Sequence, residues 1–167
     1  MTRSVTLHFA STLAATPERV WLSVHTMNGV NTELHPWMHM TVPRGQGDTP
    51  LEDAALNTLL FQSWILLLGI PVDRHALQLV RVDPKPGPNH GFLESSTSWT
   101  ERSWVHERSL HPEGSDACRI EDKLILTPRI PPLTPILVFI VTRLFRHRHA
   151  RLRALFGEPQ SARNGAI

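Results

Sequence analysis

The sequence predicts an α+β fold, an antiparallel sheet backed by one long C-terminal helix. Two observations carry this. The stretch from Leu133 to Phe156, LTPILVFIVTRLFRHRHARLRALF, is the longest helix signal in the chain. At the helical period Leu133, Leu137, Ile140, Leu144, Leu152 and Leu155 form one stripe, widened by Val141 and Phe145. Ahead of it, apolar residues recur every second position in several runs joined by short turn signals, the pattern of adjacent antiparallel strands.

Arg148 interrupts the apolar stripe, four residues from both Leu144 and Leu152, and so points into the core. Arg143, Arg146, His149 and Arg153 fall on the other side. A helix with an arginine on its apolar face needs a broad surface to lie on and an acid to meet.

Taken in order, Val5, Leu7, Phe9 and Leu13 read as a half-buried strand. Thr16 caps a helix that has Pro17 at its first position and Val20, Trp21 and Val24 on its buried face. Asn28-Gly29 is expected to end it. A short second helix is expected over Val30 to Leu34, stopped by Pro36. Met38, Met40 and Val42 alternate as a second strand. Residues 44–50 are loop-like. Thr49-Pro50-Leu51-Glu52 fits a capping box, so a helix is expected to start at Pro50 and run through Leu56, Leu59 and Leu60. The run Ile65 to Ile70 fits either that helix's last turns or a buried strand.

After Pro71 the chain reads as strands. Leu77 and Leu79 precede a turn over residues 83–91. Phe92 to Ser98 is a strand with a polar surface, and Trp104 to Leu110 another. Arg119 to Leu126 is the last, with Ile120, Leu124 and Leu126 on one face. Pro128, Pro131 and Pro132 end the sheet.

The chain has 167 residues, is 41% hydrophobic and carries a formal charge of +2 with ten histidines neutral. That length suits one domain with a real core, expected over residues 1–157, followed by a flexible tail at 158–167. Near-neutral charge argues against a nucleic-acid binder. The most apolar run, Leu133 to Val141, contains Pro135 and soon meets Arg143, well short of the ~20 apolar residues of a spanning helix. No stable membrane insertion is expected. The lone Cys118 allows no internal disulfide, and the N-terminus lacks a continuous apolar segment. The expected location is the cytoplasm.

This order of elements resembles the SRPBCC superfamily, also called START-like or helix-grip. The resemblance spans residues 3–157 and rests on ATPERVW and NGVNTELHP after the first strand, WVHERSLHPEG with CRIEDKLILTPR, and LFRHRHARLRALFG at the helix end. The last two are similar to segments of polyketide cyclase/dehydrase-like members. The resemblance implies a curved antiparallel sheet gripping the long helix, two short helices after the first strand, and a ligand cavity between sheet and helix.

Trp104, His106, Arg108 and Leu110 share one strand face, and Ile120, Asp122, Leu124 and Leu126 share an inward face on the next. If the Trp104 face is also the inward one, His106, Arg108 and Asp122 all point at the helix and its Arg148, and Glu33 is a candidate to join them. The structural reading is a buried ion pair, with Asp122 and Arg148 as mutual partners, Glu33 as the rival acid for Arg148 and Arg108 as the rival base for Asp122. The functional reading is a ligand site formed by Trp104, His106, Arg108, Asp122, Arg148 and Glu33, in which the polar group orients a carbonyl, carboxylate or phenolate. His106 would be the acid or base, with Arg108 and Asp122 as further catalytic candidates.

No metal site is expected. His106 and His111 are five apart on a strand and turn, His35 and His39 are separated by Pro36, and His147 and His149 do not share a helix face. Most of the five tryptophans are expected in the core. Three functions follow. The first is a ligand-binding protein that takes a small hydrophobic molecule with a polar end into a cavity between sheet and C-terminal helix. The second is a cofactor-free cyclase, aromatase or dehydratase acting on a polyketide-like chain. The third is a homodimeric interaction protein with a filled cavity.

Overall fold

The structure, a computed structural model, describes residues 4–83 and 90–159. Strand β1 (Val5–Leu13) leads into helices α1 (Pro17–Val24) and α2 (Met27–Leu34). Strands β2 (Met38–Met40), β3 (Leu59–Leu67), β4 (Ile70–Asp83), β5 (His90–Ser98), β6 (Glu101–Pro112) and β7 (Cys118–Pro128) follow, and helix α3 (Thr134–Phe156) closes the fold. The strands form one seven-stranded antiparallel sheet in the order β1-β7-β6-β5-β4-β3-β2. This is the helix-grip architecture, with two short helices after the first strand and a long helix lying on the sheet. No helix among the described residues is long and apolar enough to cross a membrane.

Local chemistry sets most boundaries. Thr16 caps α1, its Oγ1 accepting from Arg19 N, and Pro17 takes the first turn. Asn28-Gly29 does not end α1. Thr26 starts a new helix, its Oγ1 accepting from Gly29 N at 3.1 Å, so both residues lie inside α2. Gly29 is there for close approach: a Cβ would stand 2.2 Å from the Ser23 carbonyl oxygen.

The helix expected from Pro50 is a single 3₁₀ turn, Leu51–Asp53. Its acid is drawn elsewhere. Glu52 Oε1 accepts from Trp21 Nε1 at 2.6 Å, and Oε2 lies 3.0 Å from His25 Nδ1. Leu59 and Leu60 open β3 instead, and Ile65 to Leu67 complete it as strand. The chain turns at Leu68-Gly69, and Ile70 already belongs to β4, which pairs with β3. Ladder bonds to β2 and β4 outweigh the local helical signal. Residues 84–89, most of the turn expected at 83–91, and residues 160–167 of the expected tail lie outside the described residues.

Two faces differ from expectation. On β5 the polar residues Glu94, Ser96 and Ser98 point inward with Phe92, while Leu93 and Ser95 are half-buried on the other side. On α3 the buried positions are Val141, Phe145, Arg148, His149 and Leu152. The stripe is rotated from the expected one: Leu133, Ile140 and Leu155 are exposed, Leu137 and Leu144 half-buried, and His149 is inside rather than outside. The rotation follows from where α3 lies, chiefly against β1 and α2. Of the tryptophans, Trp21 is in the core and Trp104 is half-buried, while Trp37 and Trp99 are exposed.

The core is in two parts. One gathers Leu13, Val20, Trp21, Leu79, Leu110, Ile120 and Leu152; the other gathers Leu124, Leu126, Val141 and Phe145, flanked by Phe9 and Trp104. Between Ile120 and Leu124 on β7 stands Asp122. Between Trp104 and Leu110 on β6 stand His106 and Arg108. Between Phe145 and Leu152 on α3 stand Arg148 and His149. A buried polar layer thus crosses the fold at one level.

Candidate functional site

Arg108 is the hub of that layer and is fully buried. Its Nε donates to Asp122 Oδ1 (2.8 Å) and Nη2 to Asp122 Oδ2 (2.9 Å), a bidentate fork. Its Nη1 and Nη2 also donate to Glu33 Oε1 (2.8 Å) and Oε2 (3.0 Å). One guanidinium therefore bridges two carboxylates from β7 and α2. Arg148 Nε donates to Glu33 Oε2 at 2.9 Å, and its guanidinium carbon lies 4.8 Å from the centre of the Phe145 ring.

Asp122 takes two more bonds, from His106 Nε2 (2.8 Å) and His149 Nε2 (3.0 Å), which fill its acceptor capacity. His149 Nδ1 meets Ser11 Oγ at 2.8 Å, and Ser11 Oγ accepts from Arg153 Nη1 at 2.7 Å. The layer thus runs from half-buried Arg153 inward to Arg108.

Charge keeps the acids ionised. Burial alone would push the Glu33 carboxyl up, but the Arg108 and Arg148 guanidiniums outweigh it and hold it below the usual carboxylate range. Burial also opposes ionisation of Asp122, and the charge and hydrogen bonds of Arg108 hold it well below that range. Burial disfavours the Arg108 cation, yet Asp122 and Glu33 raise it above the ordinary arginine value.

A second cluster lies on β4 and β5. His75 Nε2 donates to Glu94 Oε1 at 2.6 Å, and Ser96 Oγ donates to the same oxygen at 2.6 Å. Glu94 Oε2 lies 3.8 Å from His106 Nδ1, too long for a hydrogen bond but close enough for charge to act. Burial would raise Glu94, but His106 and His75 lower it. Burial would lower His75, but Glu94 raises it, so the two form a buried ion pair. The clusters meet at His106, which stands between Asp122 and Glu94.

Between the sheet and α3 lies a cavity of about 300 Å³. Its walls are mainly apolar, including Met27, Leu34, Met40, Ile65, Leu77, Leu79, Phe92, Leu137, Leu144 and Phe145. Trp104, His106, Glu94, His75 and Arg148 reach it, as do Asp73 and Glu101. Arg108, Asp122 and Glu33 are not among its lining residues; Glu33 faces a smaller recess between α1, α2 and α3.

The sequence matches one family model over residues 11–156, that of Domain of unknown function (DUF8410). The chain belongs to this family. Comparison with curated proteins returned no match. Among solved structures, a protein from Chromobacterium violaceum is similar at 15% identity, with 92% of this chain and 98% of that one covered and a TM-score of 0.64. A norcoclaurine synthase from Thalictrum flavum, a point mutant in complex with a transition-state analogue, is 14% identical over 93% and 96% of the two chains, TM-score 0.61. A START superfamily protein from Mycobacterium smegmatis is 12% identical over 90% and 98%, TM-score 0.56. The fold of this DUF8410 member is the SRPBCC/START-like fold.

All six expected site residues come close together, but in different roles. Trp104, His106 and Arg148 line the cavity; Arg108, Asp122 and Glu33 stand behind its wall, where Asp122 holds His106 and Glu33 holds Arg148. The expected Asp122–Arg148 pair does not form. Glu33 takes Arg148, and Arg108 takes both acids, because α2 brings Glu33 between the two arginines. Sequence reasoning missed His75, Glu94, Asp73, Glu101 and His149. The alternation Phe92, Glu94, Ser96, Ser98 was the available signal for Glu94, and the i, i+4 step from Phe145 was the signal for His149. No comparable signal exists for Glu101. A register shift between Glu101 and Ser103 places two β6 residues against one on β7. This bulge reverses the face on which Glu101 would otherwise lie relative to Trp104. Among the described residues no group of three or more His, Cys, Asp or Glu is arranged to hold a metal ion.

Proposed function

We propose that this protein binds a small, largely hydrophobic molecule with a polar end in the cavity between sheet and α3. The single observation that carries this reading is the cavity itself: apolar walls enclosing about 300 Å³, with a few polar side chains converging on it. Arg148 supports a polar contact. Among the described residues only its Nε has a hydrogen-bond partner, so its Nη groups are available to a carbonyl or carboxylate on the cavity side. The same cavity weighs against a filled interior in a purely structural dimer.

The test is titration with a neutral hydrophobic dye such as N-phenylnaphthylamine. The purified protein should bind it saturably, one per chain. Leu144→Trp, which projects an indole from a half-buried cavity position, should remove binding while the far-UV spectrum is retained. Absence of saturable binding by the folded wild type would refute the reading.

One observation favours a second reading, cofactor-free acid–base catalysis. His106 lines the cavity and has one ring nitrogen fixed by Asp122, an arrangement suited to proton transfer on a bound carbonyl compound. In that reading Arg108 and Asp122 are positioning residues. Recovery of the bound molecule chemically changed, rather than intact, separates the two readings.

A further inference from the structure

Five carboxyl groups are buried among the described residues: Glu33, Asp73, Glu94, Glu101 and Asp122. Only two guanidiniums, Arg108 and Arg148, are buried with them, and both are spent on Glu33 and Asp122. Glu94 has His75. Asp73 has no cation but takes five hydrogen bonds, from the backbone N–H groups of Arg74, Trp99 and Thr100 and the hydroxyls of Ser98 and Thr100. Glu101 has neither. Its backbone N–H is bonded to Ser98 Oγ, but no donor among the described residues reaches its carboxyl. It is 4% exposed and lines the cavity beside Asp73.

A largely buried carboxyl that opens only onto the cavity and has no protein donor is costly to ionise, and a second carboxylate nearby makes its ionisation costlier. The geometry that imposes this is specific: the β6 bulge turns Glu101 inward when strict alternation would have sent it to the opposite face. Glu101 precedes His106 by five residues on β6, roughly 15 Å along the strand at ~3.3 Å per residue. It therefore stands apart from the Arg108 layer. One polar end of the cavity offers the Arg148 guanidinium, and the other offers carboxyl oxygens.

We propose that the cavity selects a ligand carrying a basic nitrogen, and that Glu101 receives this nitrogen as its ammonium form. The ammonium supplies the donors Glu101 lacks and a cation in direct contact, since the nearby His75 is bonded to Glu94 instead. The inference rests on the cavity being a ligand site. In support, burial, with Asp73 and Glu94 adding to it against the opposing charge of His75, raises the Glu101 carboxyl to about 7. Near neutral pH a bound cation therefore shifts the group to its charged form.

The experiment displaces N-phenylnaphthylamine at neutral pH with three matched probes: naphthylmethylamine, naphthylmethanol and naphthoate. On the wild type the amine should compete more strongly than the alcohol by about ten- to a hundredfold, the scale of a charge-assisted hydrogen bond in a buried site. Glu101→Gln should erase this preference, bringing amine and alcohol to about equal competition. Equal competition by amine and alcohol on the wild type, or a preference that survives Glu101→Gln, would overturn the inference while leaving the cavity reading intact. Failure of the dye itself to bind would remove the cavity reading and the inference together. A measurement on the wild type alone keeps the test independent of the variant's folding. Carboxyl-carbon NMR should show the Glu101 titration moving to lower pH with saturating amine, and not with alcohol; an unmoved midpoint overturns the proposal.

Discussion

Replacing Glu101 with Gln should stabilise the free protein above neutral pH and change how its stability depends on pH. Burial raises this carboxyl from 4.5 to about 7 in the folded state. Between these values the folded protein holds a proton there that the unfolded chain has released. Stability therefore falls as pH rises, the reverse of the usual paired carboxylate. The penalty begins near the unfolded value and is complete above the folded one. At ~1.4 kcal/mol for each tenfold change, the gap amounts to about 3 kcal/mol, of which about 2.5 kcal/mol develops between pH 5 and 8.

Asp73, Glu94 and His75 face the same group. Their own titrations largely cancel when wild type and Glu101→Gln are compared at each pH. The assay is urea unfolding of both proteins across that range without ligand. The wild type minus variant difference should become more negative by about 2.5 kcal/mol between pH 5 and 8. A difference that stays flat would refute the reasoning. It would mean that Glu101 titrates alike in both states, and so is hydrated or paired when folded.

Two further predictions concern the core. A double-mutant cycle with Glu33→Gln and Arg148→Met should be strongly non-additive. Each single change strands a buried charge, at a cost on the order of 3–5 kcal/mol or less where Arg108 compensates, and the double change removes both charges; additive losses in urea unfolding would contradict the pair. His90 is buried against Trp21, with neither ring nitrogen hydrogen-bonded among the described residues and Glu18 no nearer than 3.8 Å. His90→Phe should therefore raise stability by about 1–3 kcal/mol, and a thermal midpoint that falls would show that the imidazole is satisfied.

The sequence by itself determined the features that depend on neighbours along the chain. Thr16 and Pro17 start α1 wherever that helix lies. The alternation over Trp104–Leu110 puts His106 and Arg108 on one face, and the apolar company over Ile120–Leu126 marks the face of Asp122 as inward, both without knowledge of the partner strands. Arg148 among leucines announces a buried cation in need of an acid. These follow from periodicity and from the cost of an unpaired buried charge, both local properties.

The tertiary structure decided what depends on the relative placement of elements. Periodicity put Arg148 inside but left three acid–base pairings open. The packing of α2 against α3 chose Glu33, and that freed Arg108 to bridge Glu33 and Asp122. The capping-box signal at Thr49 lost to strand pairing and to the grip of Trp21 and His25 on Glu52. The inward side of β5 is polar because the cavity, rather than packed core, lies against it, and a polar face reads as solvent until the cavity is known. Glu101 is the extreme case. A one-residue bulge against β7 reverses its side, and a bulge is a property of two strands in register, which one strand's sequence does not contain.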